Sequence, residues 1–232
     1  MNRVAIIQPG YMPWLGFFEL MSSSDIFVIY DDVQFDKNGW RNRNRIKTPQ
    51  GAQWLTVPVL TKGRDKPGNN EILIKGRYWE KKHLKAIKQN YARAGYFDDI
   101  FSILAECIEP GAGRLIDIDL RIITAVKEYL GIGAEILLSS SMGIQSDEKQ
   151  TRIIDICRSL RATHYYNGEA GKKLYSGEDF KKNGIILEFQ EYRHPVYRQL
   201  YGDFISHLSV IDLLFNEGKR SLGIINSGRN IT

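Results

Sequence analysis

Trp40-Arg41-Asn42-Arg43-Asn44 is the stretch of this chain best equipped to hold an anionic ligand. An indole offers a planar stacking face, two guanidiniums can fork onto phosphate oxygens, and carboxamides can read the edge of a base or a sugar. Lys37, Arg45 and Lys47 raise the cations of this short segment to five. That local density says more than the net charge, 32 basic minus 27 acidic residues, or +5. Such a strip suits phosphate groups or nucleic acid. The alternative is a solvated basic loop in which Trp40 packs underneath and the arginines pair with Asp36 and Glu71.

Other polar groups follow apolar runs, where a parallel sheet would present them to a ligand. Gln8 and Tyr11 follow the first run; Asp31, Asp32 and Gln34 follow the second; Ser139 to Ser141 and Asn167-Gly168 follow later ones. Each also has a local reading as turn or cap. Successive side chains at a strand end point to opposite sides, so one of Asp31 and Asp32 faces a given ligand, to orient an amine or a ribose hydroxyl. With no D-x-D spacing and no His or Cys nearby, no metal is expected there. His194 lies in Tyr192-Arg193-His194-Pro195-Val196-Tyr197, an extended X-Pro segment that could fix an imidazole as general base or hold it as a hydrogen-bonded structural group. His83 reads as solvated among lysines, and His207 as a cap of the following helix. Cys107 and Cys157 form no C-x-x-C and read as core residues. The chain has no G-x-S-x-G, H-E-x-x-H, Walker A or G-x-G-x-x-G motif to support the corresponding readings.

The elements that must position these groups alternate. Val4 to Ile7 reads as a buried strand, Pro13 to Met21 as a helix, and Ile26 to Tyr30 as a second strand, a crossover length that favours a parallel pair. Residues 31 to 53 read as a loop or irregular hairpin before a strand from Trp54 to Val59; Thr61 to Asn70 reads as a mobile turn before a strand from Glu71 to Lys75. Helices are expected over Tyr78 to Ala94, Phe97 to Glu109 and Gly113 to Leu130. Alternation then resumes, with strands at Glu135 to Ser139, His164 to Asn167 and Ile185 to Gln190. Helices are expected at Asp147 to Arg161, capped near Ser146, and at Leu208 to Glu217.

The pattern predicts an α/β fold, a doubly wound, mostly parallel sheet with a helical insert over about 78–131, as one domain. The 43% hydrophobic and 25% charged residues are those of an ordinary globular chain. No apolar run reaches about eighteen residues and the opening has no cleavage-site pattern, so no membrane insertion and a cytoplasmic location are expected.

The stretches IIQPGYMPWLGFFELMSSSDIFVIYDDVQFDKNGWRNRNRIKTPQGAQWLTVPV and YRHPVYRQLYGDFISHLSVIDLLFN resemble the two ends of a WbqC-like family protein, and the likeness covers nearly the whole chain. The resemblance implies a bacterial protein encoded among genes for O-antigen, lipopolysaccharide or other surface-glycan synthesis, and a role in attaching glycine or a related acyl group to an amino sugar. On that pattern Gln8, Pro9, Tyr11, Asp31, Asp32, Gln34, Trp40, Arg41, Asn42 and Arg43 carry over from the first stretch. His194, Gln199, Ser209 and Asp212 carry over from the second. Trp14-Leu15-Gly16-Phe17 also resembles the H-x-G-H position of nucleotidyltransferases and adenylating ligases, with the glycine kept and both histidines replaced; the topology could be shared while the adenylation chemistry lacks its imidazoles.

Three functions remain open. In the first, an amide-forming transferase, the partners are a nucleotide-linked amino sugar and an activated acyl donor. Trp40, Arg41 and Arg43 hold the diphosphate, His194 or Asp32 takes the amine proton, and Gln8, Asn42 and Gln199 orient sugar and acyl groups, with Tyr11, Asp31, Gln34 and Asn167 as further substrate contacts. The second is an ATP-using nucleotidyltransferase or acyl-adenylate ligase, with Lys149 and Arg152 supplying charge; Mg2+ is expected only in that case, and no tightly bound cofactor in either. A nucleic-acid-binding module ranks last, since the aromatic residues lack a regular stacking platform.

Overall fold

The computed structural model describes residues 1–37, 39–61, 65–108 and 111–229. In chain order the first elements are β1 (Arg3–Ile7), α1 (Leu15–Ser22), β2 (Ile26–Ile29), β3 (Arg43–Thr48), β4 (Gly51–Thr56), β5 (Val59–Leu60) and β6 (Leu73–Ile74). Three helices follow, α2 (Tyr78–Tyr91), α3 (Phe97–Ile108) and α4 (Leu115–Leu130). The chain then runs through β7 (Glu135–Leu138), α5 (Lys149–Ser159), β8 (His164–Asn167), α6 (Gly177–Lys182), β9 (Ile186–Phe189), α7 (Val210–Glu217) and α8 (Ser221–Ser227).

β7, β2, β1, β8 and β9 lie side by side in that order, and every pairing is parallel. Alternation explains why both faces are covered. Ala5, Phe27 and Ile29 point into the larger apolar core, which also takes residues of α1 to α4 and α7, while Val4, Ile6 and Val28 point into a second core shared with α5 and Phe180 of α6. Strands buried on both sides are the mark of a doubly wound sheet. α4 stops at Gly131, whose φ of 69° is the left-handed cap position that glycine fills without a Cβ penalty.

Several elements differ from the sequence expectation for local reasons. Residues 43–56 form a full hairpin, because β3 and β4 pair from Arg43↔Thr56 to Thr48↔Gly51 and Thr48 Oγ1 donates to the Gly51 carbonyl at 2.9 Å. The strand expected over Glu71 to Lys75 shrinks to β6, since Glu71 accepts from the Gly68 N–H at 2.7 Å and closes a 3-10 turn over Asn69–Glu71. Glu148, not Ser146, caps α5, accepting from Gln150 and Thr151 amides at 3.2 and 2.5 Å. α7 opens at Val210 with Ser209 as its cap. Within the turn expected over 61–70, residues 62–64 lie outside the described residues, as do Glu109 and Pro110 beyond the end of α3.

One carboxylate ties the helix layer to the sheet. Glu19, on α1, is fully buried. It accepts from Ser23 Oγ at 2.6 Å, from the Tyr166 hydroxyl of β8 at 3.1 Å, from Arg229 Nε at 2.6 Å, and from the Gln190 amide beyond β9. Gln190 Nε2 also donates to the Gly16 carbonyl at 2.8 Å. A carboxylate out of water is tolerated only with this density of donors. Glu19→Ala leaves Tyr166, Gln190 and Arg229 without their acceptor and is expected to cost about 3 kcal/mol of unfolding free energy in a urea titration, at the lower end for a buried pair because Arg229 is partly exposed. A loss under about 1 kcal/mol would show that the network does not hold this end of the sheet.

Candidate functional site

β1 pairs with β2 over four residues, and β8 with β9 over four, but β1 and β8 share only Arg3↔His164 and Val4↔Tyr165. Beyond Val4 the ladder between the two central strands ends. A crevice of about 770 Å3 opens at their carboxyl ends, between Ile7 and Gln8 on one side and Asn167 and Gly168 on the other. β1 is also where the strand order turns, with β2 on one flank and β8 on the other, and such switch points are where open α/β sheets bind ligands. Among the described residues, Lys37, Arg41 and Lys149 stand on its walls against a single lining carboxylate, Asp36. Gln34, exposed on the rim, and the rings of Tyr30 and Tyr175 complete the lining that matters here.

Arg41 and Gln8 separate this crevice from a smaller pocket of about 340 Å3. Arg41 Nη1 donates to the carbonyls of Gln8 and Pro9 at 3.2 and 2.9 Å, which holds the guanidinium against the chain leaving β1. Its Nε, and the side-chain Oε1 of Gln8, are buried without a partner among the described residues. Burial pushes the Arg41 pKa down, against the opposing pull of Asp36 and Asp119. Trp14, Phe17, Trp40, Asn44 and His207 wall the smaller pocket. Gly16 is required beside it, because a Cβ there would overlap the Trp14 indole. Two non-glycine residues with left-handed backbone flank it, Met12 at φ 47° and His207 at φ 56°. Strain of this kind persists where the surroundings over-determine it; Met12 is fixed by its carbonyl, which accepts from Asn44 Nδ2 at 2.7 Å.

The paired aspartates meet the serines expected near them. Ser140 donates to Asp31 through its N–H at 3.0 Å and its hydroxyl at 2.7 Å, while Ser139 Oγ sits 2.6 Å from Asp32 Oδ1 and 3.0 Å from Asp31 Oδ1. Arg152 of α5 closes on Asp32 Oδ2 at 2.5 Å. These contacts occupy both oxygens of Asp32 and tie the end of β2 to β7 and α5.

The remaining sequence candidates separate. The Tyr11 hydroxyl is fully buried, 2.9 Å from His83 Nδ1. Asn42 is buried and donates to the Val57 carbonyl at 2.8 Å, and Gln199 bridges Lys47 Nζ at 3.0 Å and the Ile205 N–H at 2.9 Å. The basic strip itself divides: Arg41 turns to the crevice, Arg43 lies over the Trp54 ring at 4.7 Å with Trp40 5.1 Å from Trp54, and Lys47 is buried. His194 has Nδ1 2.9 Å from the Pro195 carbonyl and Nε2 buried without a described partner, behind the Trp14 ring. Burial lowers its pKa, outweighing the Pro195 carbonyl, and His207 adds to the lowering, so the imidazole is neutral near pH 7. His207, expected as a helix cap, instead lines the smaller pocket with its ring 5.4 Å from that of Trp14. No sequence signal distinguished it; Ser209, the other cap that the sequence offers, supplies the N-cap. Trp54 was equally hidden, since only the β3–β4 register places it beside Trp40.

The family model of the WbqC-like protein family matches residues 8–224, which take in the crevice lining from Gln8 onward. The chain belongs to the WbqC-like family. It is 39% identical over 220 residues to an uncharacterized protein, Rv1507c, of Mycobacterium tuberculosis (strain ATCC 25618 / H37Rv), covering 94% of this chain and 95% of that protein. No solved structure matches it significantly. In this WbqC-like chain, among the described residues, no helix is long and apolar enough to cross a membrane and no three His, Cys, Asp or Glu side chains converge.

His83, buried against Tyr11 and Trp79, carries a pH signature. Burial lowers its pKa from 6.5 to about 4, against a weaker opposing hydrogen bond that the imidazole donates to the Thr56 backbone carbonyl. The unfolded chain therefore binds this proton first as pH falls, so the stability is present above pH 6.5 and is lost between about 6.5 and 4. The loss from this one group is roughly 3 kcal/mol. Urea titrations across that window should show a shallower fall for His83→Gln than for the wild type; parallel curves would mean that His83 is protonated in the fold.

Proposed function

We propose that the chain is a cytoplasmic enzyme of bacterial surface-glycan synthesis that binds a nucleotide-linked amino sugar in the larger crevice and acylates, or aminoacylates, its amine. The observation that carries this reading is the crevice at the switch point, beyond the last β1–β8 pair, with Lys37, Arg41 and Lys149 set, among the described residues, against one carboxylate. Its volume of about 770 Å3 is that of a pocket for a drug-sized or nucleotide-sized ligand. Cations around an apolar floor suit a diphosphate carried between a base and a sugar. Membership of the WbqC-like family supports the glycan setting.

The same geometry redistributes the roles expected from the sequence. Lys149 and Lys37 join Arg41 on the diphosphate, while Trp40 belongs to the smaller pocket and Arg43 to the Trp54 stack. Asp32, held by Arg152 and Ser139, is a positioning group, and His207 is the imidazole nearest the junction of the two cavities. The ATP-using reading loses support, because Arg152 is engaged by Asp32.

Calorimetry tests this directly. A nucleoside diphosphate-linked amino sugar should bind the wild type with a Kd that rises about 5- to 10-fold in Lys149→Ala, near 1 kcal/mol for an exposed charge, and the affinity should fall with added salt. Absence of nucleotide-sugar binding, with ATP and Mg2+ or an oligonucleotide bound instead, would remove the proposal.

A further inference from the structure

The β3–β4 hairpin turns one face to the core and the other to solvent. Asn44, Ile46 and Leu55 are buried, and the alternation of a strand sends Arg43, Arg45 and Trp54 to the opposite side. The register sets Arg45 directly across from Trp54, so the two share that outer face. Trp54 is 43% exposed and Trp40 46%, with their rings 5.1 Å apart. Arg43 lies 4.7 Å from the centre of the Trp54 ring, and Arg45 lies 5.7 Å from that ring and 5.6 Å from the ring of Trp40. Arg45 is steadied by its Nη2 bond to the His207 carbonyl at 3.1 Å, and Arg43 by its Nε bond to the Gly39 carbonyl at 3.3 Å. Residues 37–61 hold five cationic side chains and no Asp or Glu. The buried face already anchors the hairpin, so core packing does not call for two half-exposed indoles set among guanidiniums. Apolar surface of this kind marks a place of contact.

We propose that this outer face of the hairpin docks on an anionic bilayer surface, with Trp40 and Trp54 at headgroup depth and Arg43 and Arg45 on lipid phosphates. Indoles settle where one side of the ring meets hydrocarbon and the other meets water, and guanidiniums beside them meet the phosphate layer. A nucleic acid has the right charge but needs an open ring face on which a base can stack. Trp54 already has two guanidiniums and the Trp40 ring within 6 Å of its centre. An acidic peptide would sense the patch alone, whereas an extended anionic surface also draws on the net charge of +5. Trp40 is a wall of the smaller pocket as well, so a docked chain holds that pocket beside the membrane. The contact is peripheral, and it does not depend on the nucleotide-sugar reading.

Vesicle flotation with the full chain tests this. At low salt the protein should float with phosphatidylcholine vesicles that contain about one third phosphatidylglycerol and stay behind with phosphatidylcholine alone, and added salt should weaken the binding. Its indole emission should shift to the blue when the anionic vesicles are added, a readout that needs no variant. Arg43→Gln and Arg45→Gln should each lower the partition coefficient about 5-fold. Trp54→Ser should lower it by at least about 5-fold and remove part of the emission shift. Lys182→Gln removes the same charge from α6, an exposed position on the helix that packs against the other face of the sheet, and should change partition by less than about 2-fold. Absence of binding to the anionic vesicles overturns the inference, as does binding with no change in indole emission. Equal losses in Arg45→Gln and Lys182→Gln would reduce the effect to net charge and overturn the docking face. An oligonucleotide or an acidic peptide held through Arg43 and Trp54, with vesicles ignored, would assign the patch to that partner instead. None of these outcomes touches the nucleotide-sugar reading, whose ligand is titrated without vesicles.

Discussion

β1 can satisfy two neighbours only at its start. It pairs with β2 over four residues, but with β8 through two residue pairs, after which that ladder ends. Backbone hydrogen bonding thus sets both the stability of the sheet centre and the place where it gives way. The chain leaving β1 at Gln8-Pro9-Gly10 borders the crevice there, and the groups it carries become the wall between two cavities.

Beyond their last pair, the two central strands have to be held by something other than the ladder. Two polar networks brace the elements on either side of the β1–β8 ladder. Glu19 links α1 to Tyr166 of β8 and to Gln190 past β9, while Asp31 and Asp32 link the end of β2 to Ser139, Ser140 and Arg152. Both place carboxylates out of water with several donors apiece, an arrangement that is rigid because any displacement leaves a buried charge unpaired. The crevice is therefore pre-formed, which lowers the ordering cost of binding there.

Much of this was legible in the sequence, and the physical reason is periodicity. The apolar runs at Val4 to Ile7 and Ile26 to Tyr30 could be read as buried parallel strands because both of their faces are apolar, and the sheet centre follows. Gln8, Arg41, Gln34 and Asn167 were found because strand ends and cation density mark them, and all four line the crevice. What could not be read were distances across the chain. Asp32 and Arg152 are 120 positions apart, and nothing in either segment announces their ion pair. Tyr11, Asn42 and Gln199 have the same side-chain chemistry as true ligand contacts but meet buried protein partners instead. His194 and His207 are indistinguishable by type, and only the path of residues 195–207 decides which imidazole reaches a cavity. α6 and α8 escaped because each is shorter than two full turns of amphipathic signal.

The most direct test is a crystal structure of the protein with a nucleoside diphosphate-linked amino sugar. The account predicts the diphosphate beside Lys149, in the crevice at the carboxyl ends of β1 and β8. A ligand stacked on the outer face of Trp40 and Trp54, with the crevice empty, would contradict it.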